Sequence, residues 1–194
     1  MNNQNVMIAL VVDNNDPDVL GRVLIELPEL PEGPRIWARV VTPYAGDGIG
    51  QYCLPEIGDE VLAIFTDGTM ASAYVLGGLW GKQKPPPDKA DLDTNAIKLF
   101  KTRSGSTLLF DDTDGSERMV LVDKNENYIE ISTGEDKIAV TANGNIELYA
   151  KSVILLEGDK ISMKANTIEI KADSSLSLEG GSTAELKAGT VNIN

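Results

Sequence analysis

Apolar residues in the first eighty or so positions come in short alternating runs. Val6–Val12 is a mostly apolar stretch, Arg22–Leu27 sets Val23, Ile25 and Leu27 on one face, and Ile36–Val41 sets Ile36, Ala38 and Val40 against Trp37, Arg39 and Val41. A period of two is the mark of strands, whose side chains alternate between faces. Val61–Phe65 and Tyr74–Leu79 continue the series, with a turn signal at Asp67-Gly68 between them and Gly77-Gly78 closing the second. Five or six short strands in so few residues predict a small closed barrel, for which the OB-fold is the common solution. No segment carries a convincing helical period.

Further on, the pattern becomes a repeat. From Tyr128, two apolar residues flank one that is usually polar, and a polar or glycine-containing turn follows. The pairs are Ile129 with Ile131, Ile138 with Val140, Ile146 with Leu148, Val153 with Leu155, Ile161 with Met163, Ile168 with Ile170, Leu176 with Leu178, Ala184 with Leu186 and Val191 with Ile193, nine units with a period of about eight. Strand geometry points each pair inward, toward a core, and the middle residue outward. Glu130, Glu147, Ser162, Glu169, Ser177, Glu185 and Asn192 obey this. Ile154 and Leu156 break the rule. So short a strand with one apolar face must stack on copies of itself. Three successive steps of one chain could form a triangular coil, or three chains could wind together, each supplying one side. A plain antiparallel meander is the third arrangement, and it would leave an apolar face uncovered.

A composition break separates the two patterns. All nine prolines lie before residue 88, three of them consecutive in the polar stretch that follows Gly81. The expected division is a barrel over 1–81, a semi-extended proline-rich linker over 82–95 and the repeats over 96–194. Both parts are acidic, with six basic against fourteen acidic residues in 1–95 and eleven against sixteen in 96–194, for a total charge of −13. That balance disfavours nucleic acid, whose backbone is gripped by Lys and Arg. The apolar run at the N-terminus is short and has no basic flank, so neither a signal peptide nor a transmembrane segment is expected.

Histidine is absent altogether. This removes Ser-His-Asp and Cys-His catalysis and His-ligated metals. Cys53, the single cysteine, excludes an intrachain disulfide framework and is expected as a small core residue. Asp111, Asp112 and Asp114 before Gly115 lack the spacing of a calcium loop and are expected to form a solvated turn capping a strand. Asp13, Asp16 and Asp18 read as a turn around Pro17. Trp37, Tyr44, Tyr52, Tyr74 and Trp80 could stack sugars, but barrel core and contacts between chains are the default. Gly46, Gly48 and Gly50 lack the Lys and Ser/Thr of a phosphate loop and are expected in a flexible loop. No catalytic residue, cofactor or metal site is expected.

Four ordered stretches carry a resemblance: Gly21-Arg22-Val23; Trp37-Ala38-Arg39-Val40 with Pro43 and the glycine-rich 45–50; Leu54-Pro55-Glu56-Ile57-Gly58-Asp59-Glu60-Val61; and Val75-Leu76-Gly77-Gly78-Leu79-Trp80. With Thr102–Leu108 and Phe110–Arg118 after the linker, this set resembles the central spike of contractile injection systems, the family of phage baseplate spikes and VgrG proteins. The resemblance implies an all-β homotrimer: three N-terminal OB-fold domains form a collar, and the C-terminal segments intertwine as a triple-stranded β-helix needle. It further implies a trimeric hub or baseplate protein at the OB-fold end. The likeness is to phage-type spikes seated on a separately encoded hub rather than to full-length VgrG, so no hub domain ahead of the barrel, no lysozyme-like insert and no C-terminal effector are expected. The His-x-His iron site of some phage spikes is missing, so a PAAR-type tip protein is the expected cap, contacting Thr190, Val191, Asn192, Ile193 and Asn194.

The expected function is therefore a structural, non-enzymatic spike. It would be assembled in the cytoplasm into the baseplate of a virion or tail-like particle and would meet the target membrane only in passing. At ~4.8 Å per stacked strand the repeats would give a shaft on the order of 45 Å. The alternative from another class is a trimeric carbohydrate-binding or depolymerising tail protein, for which the repeats are poor in aromatics: only Tyr128 and Tyr149 follow Phe110.

Overall fold

The computed structural model describes residues 6–66, 69–70, 72–87 and 93–192. The Asp67-Gly68 turn, Ile193, Asn194 and part of the linker lie outside the described residues. Among those described there is no helix. The chain divides into two units, Met1–Gly144 and Asn145–Asn194.

The first unit opens with a closed barrel of five strands in the order β1-β2-β3-β7-β6. They are β1 (Val6–Asp13), β2 (Arg22–Glu26), β3 (Arg35–Val40), β6 (Glu60–Phe65) and β7 (Ala73–Gly78); the short β4 (Ala45–Gly46) and β5 (Ile49–Gly50) lie between β3 and β6. Closure comes from one parallel contact, Arg39 opposite Tyr74 and Val40 opposite Val75. Register shifts between Val11 and Asp13 and between Leu62 and Ala63 supply the local bends that a small barrel needs. Inside, every second residue is buried: Met7, Ala9 and Val11, then Val23, Ile25 and Leu27, then Ala38, Val61, Ala63, Phe65, Ala73 and Val75. Each of the larger aliphatic side chains among them is worth ~1.5–3 kcal/mol when fully withdrawn from water.

Four local expectations are corrected here. Cys53 is exposed rather than in the core, because it falls in the irregular stretch between β5 and β6 and not on an inward strand position. The five aromatics are also absent from the core, which small and branched aliphatics fill: Trp37 and Tyr74 are half-buried, and Tyr44, Tyr52 and Trp80 are exposed. The glycine-rich 45–50 stretch is a small hairpin, Ala45 pairing Gly50 and Gly46 pairing Ile49. Gly50 has φ +147°, and a Cβ there would lie 2.6 Å from the Tyr44 carbonyl oxygen, so only glycine fits. The start of the proline-rich linker is tied down, with Gly81 and Lys84 exchanging backbone hydrogen bonds and Lys84 Nζ 2.7 Å from Asp59 Oδ1.

Beyond the linker, β8 (Ile97–Lys101), β9 (Thr107–Asp111), β10 (Arg118–Val122), β11 (Tyr128–Ser132) and β12 (Lys137–Thr141) form an antiparallel meander in sequence order. Arg103, in the β8–β9 turn, donates to Glu56 at 2.9 Å and so links this sheet to the barrel. The first two apolar pairs, Ile129 with Ile131 and Ile138 with Val140, are thus members of a meander. In the second unit no residue of 145–192 belongs to a strand, and every one is exposed. One chain by itself therefore contains no β-helix among its described residues.

Candidate assembly surfaces

Strand alternation and register bring the apolar residues of the meander onto one face in two continuous rows. Phe100, Leu108, Leu121, Ile129 and Val140 lie side by side across β8 to β12, and so do Lys98, Phe110, Met119, Ile131 and Ile138. Nine of these ten residues are hydrophobic, and those nine are exposed, from 38% at Phe110 to 70% at Ile138. Such a patch is far beyond the scattered apolar residues of an ordinary surface. Sequence reasoning missed its first half. Leu108 with Phe110 and Met119 with Leu121 repeat the pair motif, but their middle residues, Leu109 and Val120, are apolar and hid the alternation.

The opposite face is more polar and less exposed. Thr107, Asp111 and Ser132 are buried there beside Leu109. Asp111 is therefore not part of a solvated turn: its carboxylate accepts from Thr113 Oγ1 at 2.6 Å and from Arg118 Nε at 3.2 Å. The Thr113 hydroxyl, the Thr113 amide and Arg118 hold this carboxyl below its ordinary range against the cost of burial. Glu130 sits on the same face, 3.9 Å from Arg118. Ile129 and Glu130 thus face opposite sides, as the repeat requires.

The later repeat pairs lie in the second unit, where a single chain leaves them uncovered. Ile146 and Leu148, Val153 and Leu155, Ile161 and Met163, Ile168 and Ile170, Leu176 and Leu178, Ala184 and Leu186, and Val191 all fall in the strandless second unit and are exposed rather than buried. The physical reason is that none of the described residues of 145–192 is in a strand, so within that unit no ladder pairs the backbone or covers the apolar face. Thr190 and Asn192 of the expected tip contact are exposed as well. Flanking charges pair locally, Lys171 with Glu169 and Lys187 with Glu185, both at 2.7 Å.

On the barrel, the acidic turn after β1 proves to be organised around one carboxylate. Asp16 accepts from the amides of Asp18, Leu20 and Arg22 and from Arg22 Nε and Nη2, the last at 2.7 Å. The Arg22 guanidinium, first among these donors, drives its pKa far below the usual carboxylate value. Arg22 also lies 5.6 Å from the Trp37 ring centre, and Arg39 lies 5.7 Å from that of Tyr74. A cleft of about 600 Å³ lies beside this turn, lined among others by Leu20, Arg39, Tyr44, Tyr52 and Cys53. Sequence reasoning had only a turn here, because a carboxylate's partners six residues on leave no pattern of their own.

Residues 7–80, the barrel almost end to end, match the type VI secretion system/phage-baseplate injector OB domain. The barrel is thus similar to the OB domain of these injectors. Over 105 residues the chain is 32% identical to the type VI secretion system spike proteins VgrG2a and VgrG2b of Pseudomonas aeruginosa, covering 50% of this chain and 12% and 10% of theirs. It is 27% identical over 128 residues to the spike protein VgrG3 of Vibrio cholerae, covering 59% of this chain and 13% of that one. The chain thus spans about an eighth or less of the curated relatives it matches, and the likeness is longer than the barrel alone. Among the described residues no helix is long and apolar enough to cross a membrane.

Proposed function

We propose that three copies of this chain form the central spike of a contractile injection machine, with the barrels as collar and the repeats as an intertwined triple-stranded β-helix needle. The observation that carries the reading is the unpartnered apolar surface. Two rows of exposed side chains cross the meander, and among the described residues the alternating positions from Ile146 to Val191 are exposed and belong to no strand. An eight-residue step is too short to fold back and cover itself, so its hydrogen bonds and its apolar face both call for neighbouring chains. Three chains around one axis satisfy every strand laterally and leave no edge to peel.

The work of such a spike is mechanical and requires no catalysis. Its acidic outside, −13 per chain, would repel anionic headgroups and so resist adhesion during passage through a membrane. The collar end would sit on a trimeric hub, and a PAAR-type tip protein would seat on the repeat containing Val191. The domain division of barrel over 1–81, linker over 82–95 and needle from residue 96 belongs to this proposal. Light scattering on the purified chain tests it. A stable mass about three times 20.8 kDa is expected, whereas a monodisperse monomer with intact β circular dichroism would refute the three-chain needle.

A further inference from the structure

The turn between β1 and β2 uses a buried carboxylate to hold out an exposed apolar tip. Asp16, with only 4% of its side chain accessible, gathers donors from Asp18, Leu20 and Arg22, and its carbonyl accepts from the Val19 amide at 3.0 Å. Held by this scaffold, Val19 has φ +55°, a left-handed conformation that a β-branched residue adopts only under strain. What the strain achieves is projection: Val19 is 89% exposed and Leu20 70%. Tyr52, exposed beside Gly21, widens this apolar knob.

A second apolar patch lies on the outer wall of the same barrel. Val6 pairs with Ile64 and Ile8 with Leu62, and Ile64 pairs in turn with Tyr74. These outward residues carry no charge; Val6, Ile8 and Leu76 are exposed, and the other three half-buried. The knob begins beyond Asp13, five strand residues or ~17 Å along β1 from Ile8, so a chain cannot join its own two patches.

We propose that the knob of Val19 and Leu20 on one protomer docks on the β1–β6–β7 wall of the next, closing the three barrels into a ring. The inference rests on the three-chain reading above. A three-fold ring needs a head-to-tail contact between two different surfaces, whereas a self-complementary patch gives pairs. The barrel offers two such surfaces, and they match in chemistry. Two chains of −13 can approach there because Val6, Ile8, Leu62, Ile64, Tyr74 and Leu76 carry no charge and Glu60 stands only at the Leu10 end of the wall. Arg39 beside Tyr74 adds a positive charge, and the acids of the turn are engaged, Asp16 and Asp18 both with Arg22.

Disulfide trapping tests the pairing on the full chain with Cys53→Ser. Leu20→Cys combined in turn with Val6→Cys, Ile8→Cys or Leu76→Cys should give, in at least one combination, a covalent trimer as the main species on mild oxidation, and each single variant should give none. A chain that is trimeric by light scattering yet forms no interchain disulfide in any combination would overturn the docking. So would self-linking of Leu20→Cys alone, which would place the knobs on the axis. A wild-type chain that is monomeric would instead sink the three-chain reading beneath it. Val19→Gly supplies a second readout: relief of the strained φ should leave the unfolding midpoint unchanged or raised while weakening trimerisation about tenfold. A lowered midpoint with unaltered assembly would mean that the loop serves the barrel alone.

Discussion

Leu121→Asp places a charge in the middle of one apolar row of the meander, between Leu108 and Ile129. In a single chain Leu121 is 55% exposed, so its neighbours already cover nearly half of it. Full burial of such a side chain is worth ~1.5–3 kcal/mol, leaving roughly 1 kcal/mol per chain to be gained on assembly. Over three chains that is ~3 kcal/mol, and Leu121→Ala alone should weaken the trimer on the order of a hundredfold. The carboxylate adds a further cost of several kcal/mol per ion if three are buried in one apolar layer. A free chain loses little, because an aspartate at a half-exposed strand position stays solvated. The expected outcome is loss of trimer with retention of the barrel, measured by a concentration series in sedimentation velocity alongside near-ultraviolet circular dichroism. A Leu121→Asp chain still trimeric at micromolar concentration would show that this face does not meet other chains.

The needle repeats should discriminate inside from outside: Ile168→Asp should abolish or strongly loosen the trimer, whereas Glu169→Lys should lower its thermal midpoint by no more than a degree or two, and equal tolerance would mean that the faces are assigned wrongly. Val191→Asp should reduce capture of a PAAR-repeat protein in a pull-down while the mass stays trimeric, since it alters one of nine repeats; unaltered capture would place the tip contact elsewhere. The folded-state pKa values of Asp16, Asp111 and Asp123 all lie below their ordinary values, through Arg22, Thr113 and Asn127 respectively. Their stabilisation is therefore complete above the unfolded carboxylate value of ~3.9 and is lost as pH falls through that value toward the depressed folded ones. Thermal midpoints should be flat from about pH 5 upward and fall steeply below pH 4, less steeply in Asp16→Asn; an unchanged slope in that variant would contradict the role given to Asp16.

The barrel was legible in the sequence because its information is local. Alternation in Val23, Ile25 and Leu27 and in Val61, Ala63 and Phe65 names the inward face without reference to anything distant, and those residues are the buried ones. The pair motif likewise put Ile129 and Glu130 on opposite faces, since a strand has only two. Tertiary structure decided what alternation cannot carry. Whether Cys53 is inside depends on which loop it falls in, and whether the glycines of 45–50 are mobile depends on a 2.6 Å approach to the Tyr44 carbonyl. Asp16 became the centre of a turn through donors up to six residues away, a geometry that no spacing rule encodes. The full width of the apolar rows emerged only from register, because Leu109 and Val120 mask the alternation in sequence while pairing places Leu108, Phe110, Met119 and Leu121 in line with Ile129 and Ile131. A sequence states which side of a strand each residue occupies; which strands lie beside it, and hence how large a surface is left for another molecule, is settled by long-range pairing.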